Sequence, residues 1–203
     1  MKDLLNALLF SCCMLGSSAQ SNWVSKAPLP GAARHHPVTF VLDGTGYLLS
    51  GSANGNVMLK DFYSYDTSSN TWTKKTDFPG LARGFAEAVT YNGKAYFGFG
   101  YSQTRAALND WWEYNPDTDS WRQLASCSCS GRLHPALIAT SNGRIYVGAG
   151  SSNRNLKDYW EYNVATNTWF KMPDLPGVAR HHPFYFGIGT DAYMGLGHGS
   201  DFF

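Results

Sequence analysis

Lys157-Asp158-Tyr159-Trp160-Glu161-Tyr162-Asn163-Val164-Ala165-Thr166-Asn167-Thr168-Trp169 decides how this chain folds, because the chain repeats it. Asn109-Asp110-Trp111-Trp112-Glu113-Tyr114-Asn115 leads to Ser120-Trp121, and Lys60-Asp61-Phe62-Tyr63-Ser64-Tyr65-Asp66 leads to Thr71-Trp72. In each copy a Tyr precedes a Trp by seven residues, and a further copy opens at Ser200-Asp201-Phe202-Phe203. Self-similarity at a period of about 20–50 residues marks architectures in which one supersecondary unit is stacked on its neighbours.

Moving outward from the motif, Trp23, Trp72, Trp121 and Trp169 recur at spacings of 49, 49 and 48, and Arg34, Arg83, Arg132 and Arg180 keep step. A turn precedes three of these arginines: Leu29-Pro30-Gly31, Phe78-Pro79-Gly80 and Leu175-Pro176-Gly177. In the third copy the segment holding Cys127 takes its place. After each Arg comes an extended run such as Phe85-Ala86-Glu87-Ala88-Val89-Thr90-Tyr91 or Ala136-Leu137-Ile138-Ala139-Thr140, then Asp43-Gly44, Asn92-Gly93 or Asn142-Gly143. These dipeptides tolerate the positive φ that two-residue hairpins require. A second strand ends in Gly51, Gly100, Gly150 or Gly197, and a polar loop leads into the opening motif as third strand, turn and Trp-bearing fourth strand. Four short antiparallel strands per repeat, with no helical period, describe a propeller blade. Alternation sets Asp158, Trp160 and Tyr162 on one face and Tyr159, Glu161 and Asn163 on the other. Each large ring buried between blades removes about 150–250 Å² from water, so the aromatics read first as inter-blade packing.

Composition agrees with an all-β chain. Of 203 residues, 43% are apolar, 15% aromatic and only 15% charged, against about 25% charged in ordinary soluble domains. Net charge is +1 with no basic block, which argues against nucleic acid or an anionic membrane as partner. Residues 1–19 read as a secretory signal, with Lys2 before an apolar run and Ser17-Ser18-Ala19 before a cut at Gln20. The run is shorter than the roughly 20 residues of a transmembrane span. Leu9-Phe10-Ser11-Cys12 loosely resembles a lipoprotein box that Phe10 fits poorly. The expectation is a secreted, periplasmic or cell-surface chain without a transmembrane segment. Cys12 and Cys13 would leave with the signal. Cys127 and Cys129 then form a local disulfide or remain free thiols, since two thiols are half a tetrahedral zinc site.

The spacing of Tyr and Trp, the Arg after a Pro-containing turn and the Gly closing the second strand resemble the kelch repeat from Trp23 to the C-terminus. One departure is steady: kelch repeats close that strand with two glycines, and here the first is Ser50, Phe99, Ala149 or Leu196. The resemblance implies a kelch-type β-propeller over 20–203. Its blades are 34–75, 83–124, 132–172 and a partial 180–203, with 23–26 as an orphan outer strand. Kelch rings usually hold six or seven blades, about 290 residues or more at this repeat length. An incomplete ring with a bare blade face is therefore expected.

In kelch folds the first strand of each blade lines the central channel and starts at its mouth. Here those starts are Arg34-His35-His36, Arg83-Gly84-Phe85, Arg132-Leu133-His134 and Arg180-His181-His182. Arg34, His36, Arg83, Phe85, Arg132, His134, Arg180 and His182 are the candidate binding residues. A metal is not expected at the three histidines. Zinc ligands must lie within about 2.0–2.3 Å of one ion, whereas strands even within one sheet stand about 4.8 Å apart. The arginines could read carboxylates, or bond backbone carbonyls and the repeat Asp (Asp61, Asp110, Asp158, Asp201); their periodicity favours the second. Symmetry breaking singles out Glu87, where the other repeats hold Val38, Ala136 and Phe184. A carboxylate beside Arg83 suits the general base of a sugar mutarotation. Bacterial sialic acid mutarotases are kelch propellers that use a Glu and an Arg, although their motifs do not match here residue by residue. Galactose oxidase shares the propeller, but its copper constellation is not found. No phosphate loop, nucleophile elbow or calcium loop is present, and no cofactor is implied. The expected function is a secreted module binding a protein or glycan at the propeller mouth. The alternative is a carbohydrate-active enzyme of sialic acid mutarotase or galactose-oxidase-like type, with Glu87 and Arg83 as catalytic candidates.

Overall fold

A computed structural model describes residues 23–199. The leader reading of 1–19, Cys12 and Asp201 lie outside the described residues. Blade 1 holds β1 (Val38–Leu42), β2 (Thr45–Ala53), β3 (Val57–Asp66) and β4 (Thr71–Lys74). Blade 2 holds β5 (Glu87–Tyr91), β6 (Lys94–Gly98), β7 (Trp111–Asn115) and β8 (Ser120–Gln123). Blade 3 holds β9 (Ala136–Ala139), β10 (Arg144–Gly148), β11 (Tyr159–Asn163) and β12 (Thr168–Met172). Blade 4 shows β13 (Phe184–Ile188) and β14 (Asp191–Gly195). Each sheet is an antiparallel meander from inner to outer strand, and the sheets are not closed into a ring. No α-helix occurs among the described residues. The expected outer strand at 23–26 is not formed, and Trp23 is 93% exposed. The blade it would complete shows only β13 and β14 among the described residues, without the third strand beside which an outer strand pairs in the other blades.

The spacing of seven between Tyr and Trp has a direct cause. Tyr65, Tyr114 and Tyr162 stand opposite Trp72, Trp121 and Trp169 across the outer hairpin. The turn between them places Asn70, Asp119 or Asn167 at φ 55°, 46° or 54°, a conformation that Asn and Asp adopt more readily than most residues. That side chain accepts the Tyr hydroxyl at 2.6–2.8 Å. It also accepts the backbone N–H of Ala27, Thr76 or Ala125. The Trp Nε1 donates to the carbonyl of that same residue at 3.0, 3.2 and 2.8 Å. Thus each outer hairpin grips both polar groups of one residue. For blades 2 and 3 that residue lies just past the outer strand of the preceding blade, and for blade 1 it is Ala27 in the segment before the blade. Three polar side chains replace a strand pairing that the blade boundary interrupts.

Packing follows the period-two alternation. Val38, Phe40 and Leu42 of β1 are buried with Tyr47, Leu49 and Phe62 against Ala95, Phe97 and Tyr114 of blade 2. Between blades 2 and 3, Tyr96, Phe99 and Trp111 meet Leu137, Ile145, Val147 and Tyr162. Each fully buried large apolar side chain contributes roughly 1.5–3 kcal/mol. Cys127 and Cys129 form a disulfide and join this second core. Cys127 stands in the repeat position of Phe78, which fills the first core, so the disulfide occupies an aromatic ring's place. On blade 4 the corresponding positions, Phe184, Phe186 and Ile188, are exposed at 73%, 56% and 62%. This is the bare blade face expected of an incomplete ring.

The departure at the closing glycines also has a backbone explanation. Ser50, Phe99, Ala149 and Leu196 lie at φ 55–62°, each followed by a glycine at φ 84–109°. A Cβ on Gly100 would stand 2.6 Å from the Gly84 carbonyl and 2.8 Å from Ala86 Cβ, so the second position demands glycine. The first demands only a positive φ, which a side chain tolerates at a cost of about 1–3 kcal/mol.

Candidate mouth site

The carbonyls of that left-handed turn are used. Ser50, Phe99, Ala149 and Leu196 each accept a guanidinium N–H from the Arg of their own blade at 2.9–3.0 Å. Arg34, Arg83 and Arg132 also bond both oxygens of Asp61, Asp110 and Asp158 at 2.5–3.0 Å. Burial works to raise the Asp61 and Asp158 carboxyls, but their arginines hold both below the usual carboxylate range. Arg83 and Arg132 are fully buried. Of the two roles weighed for the candidate binding residues Arg34, Arg83 and Arg132, the structure shows the one that their periodicity favoured, bonds to backbone carbonyls and the repeat Asp. The forks point into their own blades, because an unpaired buried cation is costly. Arg180 donates to Val178 and Leu196 carbonyls, and its repeat Asp lies outside the described residues.

Two residues past each Arg, His36, Phe85, His134 and His182 adopt φ 50°, 62°, 48° and 51°. Here the spacing argument made from the sequence fails. Neighbouring blades are hydrogen-bonded to one another at the mouth. His134 N donates to Phe85 O at 3.1 Å, and His182 N donates to His134 O at 3.3 Å. Inner strands meet at this end as closely as strands within a sheet, and the imidazoles converge above them. Ligand nitrogens of His36, His134 and His182 all lie within 4.8 Å of one another. The His134 and His182 rings stack at 3.5 Å, and Phe85 packs against His36 at 4.5 Å and His134 at 5.1 Å. Burial, then the neighbouring histidines, lowers His134 to about 3 and pulls His36 and His182 below the ordinary imidazole value.

Glu87 does not pair with Arg83, whose fork is taken by Asp110. Its Oε2 instead accepts the Tyr185 hydroxyl of blade 4 at 3.0 Å, across the channel. Burial pushes the Glu87 carboxyl up to about 7, against the opposing effect of that hydrogen bond. Burial and the nearby Glu87 charge raise Tyr185 as well. A proton is thereby held on the channel wall near neutrality, and Tyr185, though not Glu87 itself, lines an open cavity there with Ala88 and Ile138.

Beside the mouth, between the loops of blades 1 and 2, lies a cavity of about 510 Å³ lined by Gly55, Asn56, Met58, Phe85, Tyr101, Ser102, Gln103, Arg105 and Leu133. Gln103 ties its walls together by accepting the Met58 backbone N–H at 2.6 Å. Of these residues only Phe85 stood among the sequence candidates. Of the others, Leu133 follows Arg132 before the first strand of blade 3, Met58 lies at the start of β3, and the rest sit between second and third strands. Their signal was departure from the repeat: Tyr101, Gln103 and Arg105 correspond to Ser52, Asn54 and Asn56 in blade 1.

The family described as KLHDC2/KLHL20/DRC7 Kelch-repeats domain matches residues 9–183. Among solved structures, that of YjhT superposes with a TM-score of 0.71 at 16% identity, covering 81% of this chain and 59% of the other. The chain thus spans less than two thirds of that neighbour, and the likeness is one of fold. No curated protein matches the sequence.

Proposed function

This chain belongs to the kelch-repeat family, and from that premise we propose that it is an exported binding module whose ligand docks on the mouth face. The observation that carries the proposal is the cavity of about 510 Å³ between the loops of blades 1 and 2. Tyr101 and Phe85 supply aromatic surface there, and Arg105 supplies a fork suited to a carboxylate. That pairing fits an acidic glycan or a carboxylate-bearing peptide. Fold alone does not choose between them. Export is supported by the Cys127–Cys129 disulfide, since such bonds persist in oxidising compartments. A glycan array and an acidic-peptide display, each probed with the chain and with a Tyr101→Ala/Arg105→Ala variant, test the reading. The reading requires ligands that bind the chain and are lost by the variant. Equal binding by both proteins refutes it.

A second reading, a sugar mutarotase-type enzyme, is favoured by one observation, the Glu87 carboxyl held near 7. A group with that proton affinity matches general acid–base work at neutral pH. Arg83 would serve it only through the fold. NMR exchange between anomers of N-acetylneuraminate is the measurement, and exchange that survives Glu87→Gln excludes Glu87 as the base.

A further inference from the structure

The chain has six histidines, and they form one connected cluster at the mouth. His35 touches His36, His36 touches His134, and His134 touches His182, which lies against His181 and His198. Three have the same repeat position on three separate blades, and their ligand atoms are mutually within 4.8 Å. Bonds of 2.0–2.1 Å to tetrahedral zinc put ligand nitrogens about 3.3–3.4 Å apart, so rotations about the side-chain bonds close the gap without moving the blades. We propose that His36, His134 and His182 form a three-imidazole site for a divalent transition-metal ion of the zinc class.

Four observations support the assignment. The donor set is purely imidazole, which suits zinc, copper or nickel and disfavours calcium and magnesium, whose ligands are oxygens. Two flanking imidazoles have assigned partners: His181 Nδ1 meets Asn155 Oδ1 at 2.9 Å, and His35 Nδ1 meets Nδ1 of His36 at 2.6 Å, so His36 would offer its other ring nitrogen to an ion. By contrast, no hydrogen bond joins the ring nitrogens of His134 and His182 to another protein group among the described residues. The wall is also built, since Phe85 occupies the fourth repeat position and lies against both His36 and His134, giving the site one apolar side. Finally, His36 and His182 are exposed and His134 half-buried, so an ion reaches them from solvent. Three protein ligands leave a fourth position for water or for an anionic group of a ligand, the arrangement of catalytic rather than structural zinc.

This site shares Phe85 with the loop cavity but takes none of its ligands from it, and its test keeps the two apart. The full chain, prepared without an affinity tag, is titrated with Zn²⁺ by calorimetry and with Co²⁺ by visible absorption. The expected result is one equivalent of either metal, with cobalt bands of a tetrahedral or five-coordinate site. His134→Gln and the triple His36→Ala/His134→Ala/His182→Ala variant lose that binding, while Arg105→Ala and His198→Ala keep it. Absence of stoichiometric uptake by the unaltered chain overturns the proposal, whatever the variants do. So does uptake that persists undiminished in the triple variant.

Discussion

Glu87→Gln tests whether blade 4 is held to blade 2 across the channel by a carboxyl that prefers to be protonated. Tyr185 donates to Glu87 at 3.0 Å, and Gln keeps an oxygen that can accept it while removing the charge. The carboxyl moves from 4.5 to about 7 on folding, and each tenfold change in proton affinity is about 1.36 kcal/mol. The ionised group therefore costs about 3 kcal/mol relative to the protonated one, a large fraction of the roughly 5–15 kcal/mol that holds a domain folded. The sign follows from the upward displacement. This group's contribution to stability is fully present below about pH 4.5 and is lost as pH rises through about 7. Urea unfolding measured from pH 4.5 to 8 should show the unaltered chain losing up to about 3 kcal/mol across that interval, relative to Glu87→Gln. At pH 8 the variant should be the more stable protein. Equal pH dependence in the two proteins would refute the enclosure of Glu87, and with it the contact across the channel.

Further outcomes concern other parts of the fold. Asp110→Ala strands the fully buried Arg83 and should destabilise by about 3–5 kcal/mol, read as a fall in the urea midpoint, whereas Asp77→Ala at the exposed Lys74 pair should cost less than about 1 kcal/mol. Trp121→Phe removes the bond to the Thr76 carbonyl, and a double-mutant cycle with Asp119→Ala should show coupling of about 0.5–3 kcal/mol. Reducing Cys127–Cys129 opens a loop with a sequence separation of only 2, so chain entropy changes by about 1.5 kcal/mol and thermal scans with reductant should shift modestly. Replacing Phe184 and Phe186 with Ser removes exposed apolar surface on the bare face of blade 4. It should reduce light scattering of concentrated solutions while leaving unfolding midpoints within about 0.5 kcal/mol.

The blades were legible in the sequence because their determinants are local and repeated. A Tyr and a Trp seven residues apart face one another across a hairpin whatever surrounds them, and Asn-Gly turns set strand ends without tertiary help. The Arg-to-Asp pairing was also within reach, since both residues keep the repeat period and periodicity favours structure over ligand. Glu87 was found by its break in symmetry, but its partner was not. Tyr185 lies 98 residues away, and only the curvature of the arc brings it across the channel.

The mouth shows the limit most clearly. From the chain alone, His36, Phe85, His134 and His182 were one register position on four blades, and spacing within a sheet argued that they stay apart. Tertiary structure decided otherwise, because blades join through backbone hydrogen bonds from His134 to Phe85 and from His182 to His134. Local sequence determines each blade, since turns, alternation and cross-strand pairs act over a few residues. The angle between blades is set by summed packing of many side chains across each boundary, and that angle alone determines whether three imidazoles meet.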